Sequence, residues 1–173
     1  DPLLERNVAI KTIRIDVTAA EREEFKKRFF REAKSAARLN HPNIVTVYDA
    51  GESGEIAYIA MELLDGKDLR HYIRKDERPG YERTAEIVAD VARALHYAHI
   101  EGVVHRDVKP GNIIVLHNGA VKLADFGIAR LASGSGTQTG QTFGTPKYMA
   151  PEQIAGRPVD GRADIFALGI VLY

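Results

Sequence analysis

The chain has 173 residues, of which 45% are hydrophobic and 28% are charged, a composition typical of one globular domain rather than a disordered segment. The 24 basic residues balance the 24 acidic residues, so no overall basic field points to nucleic acid, and any substrate must be recognised by a local site. Cysteine is absent, which excludes disulfides, zinc–thiolate sites and thiol catalysis, and no run of about 18 apolar residues predicts a membrane span.

The first 63 residues predict strands around one long helix. Thr18, followed by Glu21 three residues later, is typical of the capping box that begins a helix. Along that helix Glu32 lies beside the apolar stripe, and a carboxylate that faces the interior needs a cation. The predicted elements are a strand at 7–15, a helix at 18–39, and strands at 44–48 and 55–63.

From residue 64 onward helices replace strands, which indicates a hinge at 64–66 between two lobes. Residues 131–142 are mostly Ser, Thr, Gly and Gln with almost nothing to bury, and this composition predicts a mobile loop. The other predicted elements are a helix at 67–75, a helix that Thr84 caps and Gly102 ends, strands at 113–116 and 120–123, and a buried helix at 164–173.

The chemistry is concentrated in two stretches, HRDVKPGN at 105–112 and ADFG at 124–127. Phosphoryl transfer requires a carboxylate that orients the attacking hydroxyl, oxygen ligands for Mg²⁺ and positive charge on the phosphates. Asp107 supplies such a carboxylate, and Lys109 can reach the same phosphoryl group. Asn112 and Asp125 offer the hard oxygen ligands that Mg²⁺ takes, and the predicted hairpin between them brings them together.

Four motifs follow one another in an order known from one enzyme family: VAIK at 8–11, HRDVKPGN at 105–112, DFG at 125–127 and APE at 150–152. The chain resembles eukaryotic-type protein kinases, and its motifs are similar to those of the bacterial Ser/Thr members. The resemblance implies an α+β, bilobal protein-kinase-like fold that is incomplete, lacking the first two strands, the Gly-rich loop and part of the C-lobe. The expected divisions are a partial N-lobe at 1–63, a hinge at 64–66 and a partial C-lobe at 67–173.

By resemblance, the protein is a Ser/Thr kinase that uses ATP and Mg²⁺. Lys11 would bind the α/β-phosphates and pair with Glu32, and Asp107 would be the catalytic base. The implied catalytic set is Lys11, Glu32, Asp107, Lys109 and Thr145. The implied nucleotide site is Ala9, Lys11, Met61, Glu62, Leu64, Ile114, Asn112 and Asp125, of which Asn112 and Asp125 would hold Mg²⁺.

Regulation by phosphorylation is also implied by the resemblance. Three arginines that the family fold brings together, without a local acid, form a site for a phosphate of about −2 charge. These arginines are Arg28, Arg106 and Arg130, and the candidate phosphorylation sites are Thr137, Thr139 and Thr142. Phosphorylation would order the loop and draw the helix at 18–39 inward.

Two other functions stay open at this point. A pseudokinase or scaffold would bind partners through a kinase fold, and the presence of Lys11, Asp107, Asn112 and Asp125 together argues against it. A small-molecule kinase would share some motifs, but the stretch GTPKYMAPE resembles the platform for an extended peptide.

Further expectations concern partners and location. The resemblance implies protein substrates with Ser or Thr, a kinase–kinase dimer for trans-autophosphorylation, and a cytoplasmic catalytic domain, and it leaves open whether the parent protein is membrane-anchored. Because domains of this family are longer, these 173 residues alone are expected to have little or no activity and to expose apolar surface at 165–173.

Overall fold

The computed structural model describes residues 5–15, 18–74, 77–126 and 146–173. The strands in this part are β1 Val8–Arg14, β2 Val47–Ser53, β3 Ile56–Glu62, β4 Gly66–Asp68, β5 Ile113–Leu116 and β6 Val121–Leu123. The helices are α1 Ala19–Ala37, α2 Leu69–Arg74, α3 Tyr81–Ile100, α4 Pro151–Ile154 and α5 Gly161–Leu172. The predicted mobile loop and five candidate site residues lie outside the described residues: Arg130, Thr137, Thr139, Thr142 and Thr145.

The first sheet has the strand order β1-β3-β2, with both pairings antiparallel. Helix α1 packs on β2, and its Phe29 shares a small core with Ile59 of β3. The capping box at the start of α1 is confirmed, because the Glu21 carboxylate accepts from the Thr18 backbone N–H at 3.0 Å and from its hydroxyl at 2.7 Å. Lys11 lies in the middle of β1, opposite Ile59.

The second sheet, β4-β5-β6, joins the helices in a larger core. The segment before β2 ties the two sheets together, because the Val45 N–H donates to Leu123 at 3.0 Å and the Leu123 N–H donates to Asn43 at 2.8 Å. Ala36 and Leu39, from the end of α1 and just beyond it, are buried in this second core. The fold is therefore mixed α and β and protein-kinase-like, with a sheet-based N-lobe followed by helical elements.

The short helix predicted at 67–75 begins two residues later than expected. Residues 66–68 form β4, in which Lys67 pairs with Val115. Gly66 permits this pairing, because a Cβ at that position would lie 2.4 Å from the Val115 carbonyl oxygen. The helix α2 then begins at Leu69, and Asp68 accepts from the Arg70 N–H at 2.9 Å.

The prediction that Thr84 caps the long helix is wrong. The N-cap of α3 is Gly80, whose backbone is extended, and the Thr84 N–H donates to the Gly80 carbonyl at 2.9 Å. The Thr84 hydroxyl instead donates to the Pro79 carbonyl at 3.2 Å. The extended backbone that precedes a helix is at Gly80, so α3 begins at Tyr81, one turn earlier than predicted. Its predicted end is confirmed by Gly102, which has a φ of +75°.

Helix α5 is apolar over most of its surface but is buried on only one face. Ala163, Asp164, Ala167 and Leu168 are buried, and the Asp160 carboxylate caps the helix by accepting from the Arg162 N–H. The apolar surface expected at 165–173 is present, since these side chains are exposed: Ile165, Phe166, Leu172 and Tyr173. No helix in the described ranges has both the length and the apolar character needed to cross a membrane.

Candidate active site

All but one of the predicted nucleotide-binding residues line one cleft of about 610 Å³ between the two sheets. β1 contributes Ala9 and Lys11, and β5 contributes Ile114. The end of β3 and the residues that follow it contribute Met61, Glu62 and Leu64. Asp125, which follows β6, lines the same cleft. Asn112 does not line the cleft but is joined to it, because the Ala124 N–H donates to the Asn112 carbonyl at 2.8 Å.

Beside the cleft, Asp107 is held between a lysine and an amide. Its Oδ2 accepts from Lys109 Nζ at 2.7 Å and from Asn112 Nδ2 at 3.0 Å. Asn112 Nδ2 also donates to the Asp107 carbonyl at 2.8 Å. The amide nitrogen of the buried Asn112 thus makes both of these contacts with Asp107, which directs Asn112 Oδ1 away from it. The predicted base and one predicted metal ligand are brought together by direct contacts.

Lys11 meets Asp125 across the cleft. The Lys11 Nζ lies 2.7 Å from Asp125 Oδ2, which joins the first sheet to the segment after β6. Asp125 has a φ of +67°, a left-handed conformation that costs a non-glycine residue about 1–3 kcal/mol. Such strain persists where the surroundings over-determine the backbone, and here it directs a carboxylate into the cleft.

Three of the four sequence motifs thus contribute residues to one cleft, namely Lys11 of VAIK, Gly111 of HRDVKPGN and Asp125 of DFG, and Lys11 and Asp125 are in contact there. The profile of the family described as "Protein kinase domain" matches residues 4–173 of the chain. The chain belongs to the protein kinase domain family.

Several named kinases are similar over the whole chain. The serine/threonine-protein kinase PknB of Mycolicibacterium smegmatis is 47% identical over 180 residues, covering 100% of this chain and 28% of that protein. The corresponding values are 48% over 179 residues for PknB of Mycobacterium leprae, with 28% of that protein covered. A probable serine/threonine-protein kinase of Streptomyces coelicolor, SCO3848, is 47% identical, with 26% of its length covered. The chain therefore spans little more than a quarter of the length of these curated relatives.

The expected ion pair between Lys11 and Glu32 is not formed in this kinase domain, so that prediction is wrong for this structure. Lys11 is bound to Asp125, and Glu32 accepts instead from Arg31 Nη2 at 3.1 Å. The reason lies in the packing, because α1 rests mainly on β2, whereas Lys11 is on β1 at the opposite edge of the sheet. Glu32 is nevertheless largely buried, with 14% of its side chain exposed, as its place beside the apolar stripe indicated.

His105 is buried at the start of the loop at 105–112, here called the catalytic loop, and its ring makes two hydrogen bonds. Its Nε2 donates to the Ala124 carbonyl at 2.8 Å, and its Nδ1 accepts from the Asp107 N–H at 3.2 Å. These two contacts define the neutral tautomer with the proton on Nε2. Burial lowers the pKa of His105 below its usual value, and its ring packs on Phe126 with centroids 4.5 Å apart.

We expect the kinase domain to lose stability as the pH falls below about 6.5, the usual pKa of histidine. Because the folded pKa of His105 is lowered, the unfolded chain binds more protons below that pH, and the free energy of unfolding decreases by about 1.4 kcal/mol per pH unit. Urea unfolding measured between about pH 8 and pH 5 should show a flatter dependence in His105→Phe. His41, whose pKa burial also lowers, leaves a residual slope, so His41→Asn is the matched control. Equal slopes in wild type and His105→Phe would contradict this assignment.

Asp164 is a functional residue of the kinase domain that sequence reasoning missed. Its carboxylate is buried in α5 and accepts from the His105 N–H at 2.8 Å, the Arg106 N–H at 2.7 Å and His99 Nε2 at 2.7 Å. A helix residue thus holds the backbone of the catalytic loop. The sequence does contain a signal for Asp164, which is the single carboxylate in the predicted apolar helix at 164–173. A buried charge requires polar partners, so this residue could have been expected to contact another part of the chain.

Of the three arginines expected to bind a phosphate, only Arg28 and Arg106 are described. The expectation that they lack a local acid is wrong for Arg28, which pairs with Glu24 one turn earlier on α1. Residues four apart on a helix lie on the same face, which explains this contact. Arg106 is half-buried beside Asp107 and has a φ of +66°.

An ion pair behind the cleft connects the two sheets of the kinase domain. Lys122 Nζ of β6 lies 2.8 Å from Glu62 Oε2 at the end of β3, with 14% and 26% of the two side chains exposed. Lys122 also donates to the Ile44 carbonyl at 3.3 Å, and Glu62 accepts from the Thr46 N–H at 3.3 Å. Glu62, which lines the cleft, is thereby held to β6, the strand that leads to Asp125.

Proposed function

We propose that the chain is the catalytic part of a serine/threonine protein kinase, which transfers the γ-phosphoryl group of ATP to Ser or Thr hydroxyls of proteins. The observation that carries the proposal is the Asp107 carboxylate, held by Lys109 and Asn112 beside a cleft in which Lys11 meets Asp125. The relatives are named as serine/threonine-protein kinases, which supports Ser and Thr hydroxyls as the acceptors.

The residues present fit ATP and Mg²⁺. The cleft volume of about 610 Å³ is within the range of small-molecule sites. At its edge the Glu62 N–H is already used, because it donates to the Thr46 carbonyl at 2.9 Å, and the backbones of Glu62 and Leu64 are the groups that would meet the adenine. No cluster of three His, Asp or Glu residues that could hold a metal is found among the described residues. The oxygen ligands that would hold Mg²⁺ together with the phosphates are those of Asn112 and Asp125, because this ion is usually bound by one or two protein oxygens plus phosphates.

Each residue has a separate part in the proposed reaction. Bound Mg²⁺-ATP supplies the phosphoryl group and neutralises charge that develops during transfer. Asp107 would accept a hydrogen bond from the attacking hydroxyl and take its proton, while the ammonium of Lys109, 2.7 Å from Asp107 Oδ2, could reach the transferred phosphoryl group. Lys11 supplies positive charge to the phosphates. The protein thus contributes mainly orientation and electrostatic stabilisation.

The regulatory part of the proposal rests on the sequence. Phosphorylation at Thr137, Thr139 or Thr142, carried out by a second copy of the kinase, would order the loop. A phosphate that binds Arg28 must displace Glu24, so part of its binding free energy is used to break that pair. Thr145 would contact the base and Lys109 from the far end of the loop. We place this activity in the cytoplasm, where ATP and Mg²⁺ are available.

The proposal is tested by incubating the full-length protein with Mg²⁺-ATP and casein and locating the transferred phosphate by mass spectrometry. Phosphoserine or phosphothreonine on casein is the expected product. Nucleotide binding without any transfer would instead favour the scaffold function, and transfer only to small molecules would favour the third alternative.

Replacement of Lys11 by methionine is expected to lower the transfer rate by about 100-fold or more, because preorganised positive charge on the phosphates is lost. The matched control is Lys27→Met, which removes an exposed lysine of α1 and should retain the wild-type rate. A Lys11→Met protein with more than a tenth of the wild-type kcat/KM for ATP would contradict the role of Lys11.

A further inference from the structure

The peptide bond between Arg106 and Asp107 is held at both of its polar ends. Its N–H, that of Asp107, donates to His105 Nδ1 at 3.2 Å. Its carbonyl, that of Arg106, accepts from Gln153 Nε2 at 2.9 Å. The preceding N–H, that of Arg106, donates to Asp164 at 2.7 Å. This peptide directly precedes the proposed base, so its orientation sets the position of the Asp107 side chain.

Arg106 needs such restraint because its φ of +66° lies in the left-handed region, which non-glycine residues rarely adopt. A backbone in this conformation persists only when its surroundings over-determine it. Asp164 and His105 supply two of the restraints, from α5 and from the loop itself. Gln153, on α4, supplies the third from a different part of the chain.

The amide of Gln153 is itself oriented by a second contact. Its Oε1 accepts from the Ala150 N–H at 3.0 Å at the start of α4, which leaves Nε2 directed to Arg106. One side chain thus closes the first turn of α4 and holds the catalytic loop. The two contacts need opposite polarities, an acceptor for Ala150 and a donor for Arg106.

We propose that Gln153 is a positioning residue that sets the geometry of Asp107 through the Arg106 carbonyl. This inference rests on the proposed kinase function for its catalytic consequence, but not for the geometry itself. Loss of the contact frees the 106–107 peptide to rotate, which displaces the carboxylate from the attacking hydroxyl. A displacement of this kind lowers kcat and leaves ATP binding in the separate cleft unchanged.

The variant Gln153→Glu separates the two contacts. Glutamate retains an acceptor for the Ala150 N–H and is favoured at the third position of a helix, so α4 should be preserved. At the other end, a carboxylate oxygen replaces the donor and repels the Arg106 carbonyl. Ala155→Glu is the matched control, because it adds the same charge at an exposed position at the end of α4. Gln153→Met, which removes both contacts, is the second variant.

In the full-length protein we expect Gln153→Glu to lower kcat on the order of 10- to 100-fold with an unchanged KM for ATP and an unchanged thermal midpoint. Backbone amides of residues 105–112 should exchange with deuterium faster than in wild type, and Ala155→Glu should match wild type in both measurements. A kcat within about twofold of wild type, or unchanged exchange in 105–112, overturns the inference. An equal loss in Ala155→Glu also overturns it.

The two measurements separate this inference from the proposed function. A wild-type protein that transfers no phosphate would contradict the kinase proposal. The exchange of 105–112 in Gln153→Glu would still decide whether Gln153 restrains the loop. Faster exchange without activity supports the restraint, and unchanged exchange refutes it in an active or an inactive protein.

Discussion

The variant Asp107→Asn is expected to lose kcat by about 10²–10⁴-fold, the contribution typical of a general base. Asparagine has nearly the same shape but cannot take a proton from the attacking hydroxyl. Its amide also places a donor, in one of its two orientations, against Lys109 Nζ, which now lies 2.7 Å from a carboxylate oxygen. The loss should appear in kcat, because Asp107 does not line the cleft that would bind ATP.

The control for this experiment is Asp90→Asn, which removes an equivalent charge from α3, where Asp90 pairs with Arg93. We expect its kcat to equal that of wild type. Thermal unfolding should show that Asp107→Asn remains folded, so that the lost rate is not a loss of folded protein. An Asp107→Asn protein that retains more than about a tenth of wild-type kcat would remove Asp107 from its proposed role.

The second large effect is expected at Asp164, where alanine should destabilise the fold by roughly 2–6 kcal/mol. Truncation leaves the backbone N–H groups of His105 and Arg106 without their acceptor, and each orphaned donor that is buried costs about 1–3 kcal/mol. His99 Nε2 loses its partner as well. Because two of these donors belong to the catalytic loop, activity should fall together with stability.

Asp164→Asn gives a graded comparison. The amide oxygen of asparagine can still accept from some of the three donors, which are His99 Nε2 and the N–H groups of His105 and Arg106, whereas its NH₂ group faces the others. We therefore expect a smaller loss of stability than for alanine. Asp160→Ala, which removes the exposed cap at the start of the same helix, should have a smaller effect and leave the loop intact. Urea unfolding measures all three variants. Equal midpoints for Asp164→Ala and Asp160→Ala would show that the buried network contributes little.

The parts of the candidate site that could be predicted from the sequence are those whose residues are close together along the chain. Asp107, Lys109 and Asn112 lie within six residues, and a tight hairpin returns the chain to Asp125, so their proximity follows from local structure. The capping box at Thr18 is local in the same sense. The strands predicted at 113–116 and 120–123 are observed at 113–116 and 121–123, because apolar residues on each side of Asn118-Gly119 favour a hairpin.

The rest depends on long-range contacts that have no local signature. Asp164 and Gln153 act on backbone groups of the catalytic loop, and a backbone N–H or carbonyl leaves no trace in the sequence. The Lys11 partner was mispredicted because two carboxylates, Glu32 and Asp125, compete for one ammonium, and the position of α1 on the sheet decides between them. Hydrophobic periodicity gives the buried face of α1 but not its place along the sheet.

The ion pair between Lys122 and Glu62 has a mechanical consequence. It fastens the last residue of β3 to β6, so Glu62 moves with the second sheet although its strand belongs to the first. Rotation of the first sheet against the second would then bend the chain before Glu62, in the last part of β3, and not in the stretch 63–65 that follows it. Glu62 and Asp125, which lies three residues beyond Lys122, are thereby both attached to β6, so these two cleft-lining residues would move together when the lobes rotate.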